Sequence, residues 1–368
     1  MTSVTVVGGG IIGVRTALAL AKRDLDVRIL EKNMLGSGST AASIAEFHWL
    51  QEQPDPFEYE LQQTAWKEYK SLVKAGVTEF ERIGSMYVAE TEETLHQLNE
   101  ATQKLKEFGL DVEMISPAEA AEYGVSSSDI LGAMYTPSDG YLDPHDLIQH
   151  WRGLAEDAGV TVETGVEVTD VRLEKESVVG VETTEGSIDS QLVINAAGPW
   201  APELNDFAGV TVPLRHTQGR IMVLQCDSDV SLPNVIFEDG YYFREEGSNQ
   251  ILAGRVIYDY ESADMIDPDH AQLIPNDFRV TIADRAEKTL PVTNGASIIN
   301  EWTGLRTVTP DGLPIVGRSG TDGFLLACGL SGKGIMYAPV VAELVAASVI
   351  GEDNDRLAML ARDRFHYS

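Results

Sequence analysis

The chain opens on a run of strand-forming residues, Val4-Thr5-Val6-Val7, that stops at Gly8-Gly9-Gly10. Apolar residues at helical spacing follow at once: Ile11, Ile12, Ala17, Leu18, Leu20 and Ala21. A second strand, Val27-Arg28-Ile29-Leu30, then ends on Glu31. An amphipathic helix is expected over 57–80, with Phe57, Leu61, Ala65, Tyr69, Leu72 and Val73 on one face. A strand over 82–89, a highly charged helix over 91–108 and a short strand over 110–114 come next. Ser116-Pro117-Ala118-Glu119 has the form of a capping box opening a short helix. Residues 132–141 read as strand, turn and strand, and a helix runs from Asp143-Pro144 to Ala158. Strands follow at 160–163, 167–173 and 178–183, the last two as a hairpin.

The apolar run Leu192-Val193-Ile194-Asn195 leads into Ala196-Ala197-Gly198-Pro199-Trp200. That pattern fits a buried parallel strand whose tip lets a ligand approach closely. From 211 to 259 the chain is alternating and aromatic, with strands at 219–225, 235–244 and 250–258 that predict an antiparallel sheet. A helix over 270–288, strands over 298–306 and 324–328, and a helix over 335–350 complete the pattern. The βαβ material at both ends and in the middle encloses the sheet material. The fold class is therefore α/β and α+β. The domains are discontinuous, an α/β unit over 1–80, 142–210 and 305–368 and a sheet-rich, mostly antiparallel unit over 81–141 and 211–304.

Charge adds to this picture. Acids number 58 and bases 27, a net charge of −31, with ten lysines against seventeen arginines. The acids are spread along the chain, as on a solvated surface that needs salt to screen its self-repulsion. We read this as a halophilic surface, the alternative being an acidic mesophilic one. It disfavours nucleic acid and anionic membranes, which require basic patches. Cys226 and Cys328 form no C-x-x-C pair, which indicates a reducing compartment and no metal site. No apolar run is long enough to span a membrane and no basic, apolar leader opens the chain, so a cytoplasmic location is expected.

The first turn carries the candidate chemistry. Gly8, Gly10 and Gly13 fit G-x-G-x-x-G between a strand and a helix. The first allows the tight turn, the second lets backbone approach a pyrophosphate, and the third lets helix and strand pack closely. Glu31 stands near the ~20-residue distance expected for a carboxylate on a ribose 2′-hydroxyl, which argues against a 2′-phosphate and leaves FAD and NAD open. Gly36-Ser37-Gly38-Ser39-Thr40 suits a second phosphate cradle or a plain loop.

Five segments in order now matter: the opening glycine turn, 36–40, Asn195-Ala196-Ala197-Gly198-Pro199-Trp200, the run 304–317 beginning Gly304-Leu305-Arg306, and Gly329-Leu330-Ser331-Gly332-Lys333-Gly334-Ile335. In these the chain resembles the superfamily of D-amino-acid, glycine and sarcosine oxidases over essentially its whole length. The resemblance implies FAD, a split Rossmann-like FAD-binding domain made of the α/β unit, and a substrate-binding domain made of the sheet-rich unit. By it, Glu31 and Lys32 contact the adenosine ribose, Val168 offers backbone to adenine, and Gly38, Ser39 and Thr40 hold the pyrophosphate with Gly8, Gly10, Ile11, Ile12 and Gly13. Ala45, Glu46, Ala197, Gly198, Trp200 and Gly304 are further cofactor contacts. The turn Gly329, Leu330, Ser331, Gly332, Lys333, Gly334 and Ile335 lies under the flavin's pyrimidine edge, where N–H groups and a helix dipole stabilise reduced flavin.

By the same resemblance Arg306 clamps a substrate carboxylate, a task its planar fork suits. Tyr242 (or its neighbour Tyr241), His48 and Lys333 are further catalytic candidates, and His48, Glu46 and His216 are candidates for the pocket wall. The implied reaction oxidises the C–N bond of a small amino acid or N-methyl amino acid by hydride transfer to flavin N5, with no strong general base. Oxygen or a redox carrier is the acceptor, and a homo-oligomer is compatible with the family. The alternatives are a 2-hydroxy-acid or glycerol-phosphate dehydrogenase and a non-catalytic FAD-binding subunit. Gly304 stands where monomeric sarcosine oxidases carry their flavin-linking cysteine, so no such bond forms there.

Overall fold

The computed structural model describes residues 2–256, 259–270, 272–352 and 354–365. Its first sheet has six strands in the order Ile315–Arg318, Phe324–Cys328, Leu192–Asn195, Ser3–Val7, Asp26–Glu31 and Thr161–Thr164. All neighbours pair in parallel except the outer pair Ile315–Arg318 and Phe324–Cys328. Val4, Val6, Ile29 and Ile194 are buried on this sheet beneath helix Ile11–Ala21. That helix packs in turn on Gly334–Ile350 and Pro144–Asp157. Apolar residues surround Ile11–Ala21 and Gly334–Ile350 on nearly every side, as expected of helices inside a layered α/β core.

The second sheet has eight strands, in the order Ser297–Val308, Arg215–Gln225, Gln250–Arg255, Tyr241–Glu245, Asn234–Ile236, Ser85–Ala89, Gly132–Thr136 and Glu113–Ile115. Only Asn234–Ile236 against Ser85–Ala89 is parallel. The hairpin expected over 167–183 forms a three-stranded sheet with Gly186–Asp189. A fourth, small sheet of Glu46–Phe47, Gly140–Leu142 and Phe80–Arg82 sets Glu46 opposite Tyr141.

Several boundaries differ from the sequence reading, each at a local backbone device. The helix expected over 57–80 is Pro56–Lys74. Gly76 is left-handed at φ +70°, and the Gly76 and Val77 amides donate to Val73 and Leu72 carbonyls, which closes the helix end. The strand expected over 82–89 divides at Gly84, φ +77°, where a Cβ would stand 2.8 Å from the Thr136 carbonyl oxygen. Its two parts join different sheets. The stretch 235–244 is a hairpin turning at Gly240. The helix expected from 270 begins at Asn276, after Pro275. Positions 257–258 of the expected strand 250–258 lie outside the described residues, as does 271. Strand Ser297–Val308 is continuous across the boundary expected between 304 and 305.

Candidate functional site

A cavity of about 580 Å³ is walled by the edge of the parallel sheet, the inner face of the eight-stranded sheet and the start of the last long helix. Local glycine chemistry builds its first wall. Gly8 takes φ +106°, and a Cβ there would stand 2.4 Å from the Ala196 carbonyl oxygen. At Gly13 a Cβ would stand 1.8 Å from the Gly8 carbonyl oxygen. Gly13 therefore sets the turn without itself lining the cavity, which corrects the expectation of direct contact. Gly10 caps Ile11–Ala21 without a side chain, and the Ile11 amide donates to Thr40 Oγ1 at 3.1 Å. The Thr40 hydroxyl keeps its own proton for a ligand.

Glu31 is held in the same wall. Its Oε2 accepts from the Gly9 amide at 2.7 Å and its Oε1 from the Asn33 amide at 2.8 Å. Two backbone donors thus fix the carboxylate at the cavity surface before any ligand is present. Lys32 Nζ lies 4.2 Å from the centre of the Trp200 ring, and both side chains bond Asp269. Gly38, Ser39, Val168, Ala197 and Gly198 also line the cavity, and Ser39 Oγ donates to the Leu305 carbonyl at 2.8 Å.

Arg306 reaches the cavity from strand Ser297–Val308, opposite Thr217 in the register. Its space is made by Gly219: a Cβ there would stand 3.0 Å from Arg306 Nη2. Next to it, Thr307 ties the strand to the glycine-rich turn, its carbonyl accepting from the Ser331 amide at 2.9 Å. Ser331 is itself left-handed at φ +49°, and its hydroxyl accepts from the Thr309 amide. Gly329, Leu330, Ser331, Gly332, Gly334 and Ile335 all line the cavity, as does Gly304. The helix that opens at Gly334 has no side-chain cap.

Three further candidates lie off the cavity wall. Lys333 is absent from the cavity wall; its Nζ is held by both oxygens of Glu58 at 2.7 Å, with Tyr337 on the same carboxylate. A cation beside an acid on a neighbouring helix pairs with it. Ala45 is buried at φ +55°, its amide donating to Ser43 Oγ, and it does not face the cavity either. His216 accepts from the Ile266 amide on Nδ1 and also lies off the wall.

On the side of the second sheet, Tyr242, His48 and Glu46 line the cavity. Tyr242 lies across Gly254, its opposite number in the register. Burial holds the His48 imidazole below its ordinary pKa, and its Nδ1 sits 3.2 Å from the Leu50 carbonyl. Burial pushes the Glu46 carboxyl up to about 7, against the pull of Arg244 and with a push from Asp139. Asp139 and Arg244 went unmarked in the sequence. Asp139 sits in a turn and reads as turn chemistry, yet it is fully buried and accepts the Trp49 amide at 2.8 Å. Only strand alternation from Tyr242 pointed to Arg244.

Residues 3–348 match the DAO family, FAD dependent oxidoreductase. The chain belongs to this family. It is 27% identical over 362 residues to glycine oxidase of Geobacillus kaustophilus (strain HTA426), covering 93% of this chain and 91% of that protein. It is 27% identical to mitochondrial sarcosine dehydrogenase of Mus musculus over 100% of this chain and 42% of that protein. It therefore spans less than half the length of that relative. L-Proline dehydrogenase from P. horikoshii has the same fold, with a TM-score of 0.87 at 25% identity, over 99% of this chain and 97% of that chain.

The protein is an FAD-dependent oxidoreductase, and its cavity fits the cofactor. Two helix starts whose N-cap residues offer no side-chain cap, at Gly10 and at Gly334, line one cavity and present their positive ends to anionic groups. Thr307 lines it too, with a buried hydroxyl that has no hydrogen-bond partner among the described residues.

Proposed function

We propose that this protein oxidises the C–N bond of a small amino acid or N-methyl amino acid, glycine, sarcosine and proline being the first to test. The observation that carries the reading is Arg306, a guanidinium in the wall of the cavity that also holds the cofactor cradle. FAD supplies the two-electron acceptor. Glu31, Ser39, Thr40 and the helix start at Gly10 hold its adenosine and pyrophosphate parts, and the 329–335 turn holds its ring end. Arg306 binds the substrate carboxylate through two charge-assisted bonds, and Tyr242 lines the same cavity. The apolar wall of Ile44, Ile221 and Ile236 keeps water from the reacting carbon.

The proposed two-domain division is best drawn with its last boundary after Val308, because strand Ser297–Val308, with Arg306, belongs whole to the eight-stranded sheet of the substrate domain. The reading also includes a cytoplasmic, salt-adapted enzyme that passes electrons to oxygen or a carrier. Among the described residues no helix is long and apolar enough to cross a membrane.

The test is anaerobic bleaching of the bound flavin by amino acids, with lactate and glycerol 3-phosphate as the competing class. Amino acids should bleach it and hydroxy acids should not. With the best substrate, Arg306→Ala should lower kcat/KM by about 30- to several-thousand-fold, since a desolvated carboxylate without its partner costs about 2–5 kcal/mol. FAD content should stay unchanged, and Arg306→Lys should recover only part. Near wild-type kcat/KM in Arg306→Ala would remove the clamp.

A further inference from the structure

The cavity holds a second charged feature that the carboxylate clamp does not use. Glu46 lies on the small sheet with Gly140–Leu142 and Phe80–Arg82 and keeps only 14% of its side-chain surface accessible. Its Oε1 is enclosed and accepts no hydrogen bond among the described residues. The nearest cation is Arg244 Nε, at 3.7 Å, beyond hydrogen-bond range. The other two nitrogens of Arg244 are engaged, Nη1 lying 2.9 Å from Glu246 and Nη2 donating to the Ile44 carbonyl, with the guanidinium over the Tyr141 ring; its Nε, which faces Glu46, makes no hydrogen bond among the described residues. Glu46 therefore has a cation nearby that steadies it without satisfying it.

A second acceptor stands in the same wall. Asn234 is 4% exposed, and its Oδ1 has no donor among the described residues. Asn234 pairs in register with Ser85, whose hydroxyl bonds Asp139, and Asp139 acts electrostatically on Glu46. Two buried acceptors lacking donors in one cavity call for a ligand that brings N–H groups, because each such oxygen left bare is costly. A hydroxy acid brings too few donors and no positive charge. A zwitterionic amino acid brings both, together with the carboxylate that Arg306 suits.

We propose that Glu46 recognises the ammonium group of the substrate and takes its proton. In this step an N–H bond breaks, its electron pair stays on nitrogen, and an O–H bond forms on the Glu46 carboxylate. The amine is left neutral, with the lone pair that C–N oxidation requires. This inference rests on the amino-acid reading above and gives it the general base that the sequence did not reveal. The groups facing Glu46 are Arg244, with Glu246 behind it, Tyr141 with its partner Glu81, Asp139, and His48 two residues along. Burial sets the proton affinity of Glu46 close to neutrality, where a base both accepts and releases a proton.

The test separates ammonium recognition from carboxylate recognition in the FAD-loaded protein. At pH 8, calorimetry measures binding of 2-aminoisobutyrate, which has no Cα–H to oxidise, and of isobutyrate, which lacks the amine. Glu46→Gln should weaken 2-aminoisobutyrate by about tenfold or more and leave isobutyrate unchanged. In stopped-flow reduction, the wild type should show an ascending limb near pH 7. Glu46→Gln should move that limb up toward the free amine's own ionisation and slow reduction at pH 7 by about 100-fold. If Glu46→Gln does not load FAD, Glu46→Asp is measured instead: a retained limb supports the proposal and a lost one overturns it. Equal binding of 2-aminoisobutyrate and an unmoved limb in Glu46→Gln would overturn it, while amino acids still bleach the wild type. Failure of every amino acid to bleach the wild type would instead overturn the amino-acid reading.

Discussion

The Tyr69 hydroxyl donates to the carbonyl of Ile335, which Pro339 leaves without its helical partner. Proline has no N–H, so the bond from residue 339 back to 335 cannot form. Tyr69, fully buried on Pro56–Lys74, supplies the missing donor from the neighbouring helix. Burial raises the phenol's pKa well above its ordinary value, so it keeps its proton. The bond fixes the first turn of Gly334–Ile350, whose start lines the cofactor cavity.

Tyr69→Phe should therefore destabilise the fold by about 1–3 kcal/mol, the cost of a buried carbonyl without a donor. Thermal melting of the two proteins measures it. In the Pro339→Ala background the cost should shrink, because alanine restores the amide. Equal costs in both backgrounds would show that Tyr69 acts only through packing.

Gly219 should behave as a residue of the site although it bears no chemistry. Its absent Cβ leaves 3.0 Å to Arg306 Nη2, tighter than a side chain tolerates without movement. Gly219→Ala should push the guanidinium aside and raise KM by about 3- to 30-fold, with FAD content unchanged. Wild-type kinetics in this variant would mean that the Arg306 position is not critical.

Asp139 should make stability depend on pH in the direction opposite to a salt-bridged acid. Burial pushes its carboxyl from 3.8 up to about 7. The native state then binds more protons than the unfolded chain, so the Asp139 contribution falls as pH rises from about 4 through about 7. Glu46 acts in the same direction. Asp139→Asn keeps an acceptor for the Trp49 amide and cannot ionise. Its Tm relative to wild type should improve between pH 5 and pH 8, and a constant difference would show that Asp139 does not titrate in that window.

Salt should matter throughout. With a net charge of −31, mutual repulsion of the surface acids is relieved by screening. The Tm should rise steeply from dilute buffer to molar KCl. A flat curve would place the acidity outside any role in salt adaptation, leaving the enzymology untouched.

The sequence by itself determined the parts whose physics is local. Gly8, Gly10 and Gly13 announce a turn because only their lack of Cβ permits it, and Glu31 follows because the strand after that turn must end beside it. Alternation along 211–259 was enough to predict an antiparallel sheet, while Arg306 was marked through the resemblance of the Gly304-Leu305-Arg306 segment to a known family. The tertiary structure decided whatever depends on a partner far along the chain. Lys333 belongs to the cofactor turn by sequence, yet Glu58 draws its side chain away. Glu46 was legible only as a cofactor or pocket-wall candidate until Arg244, Asp139 and Tyr141, from three separate segments, enclosed it. Burial, not residue type, raises its proton affinity, and burial exists only once those segments meet.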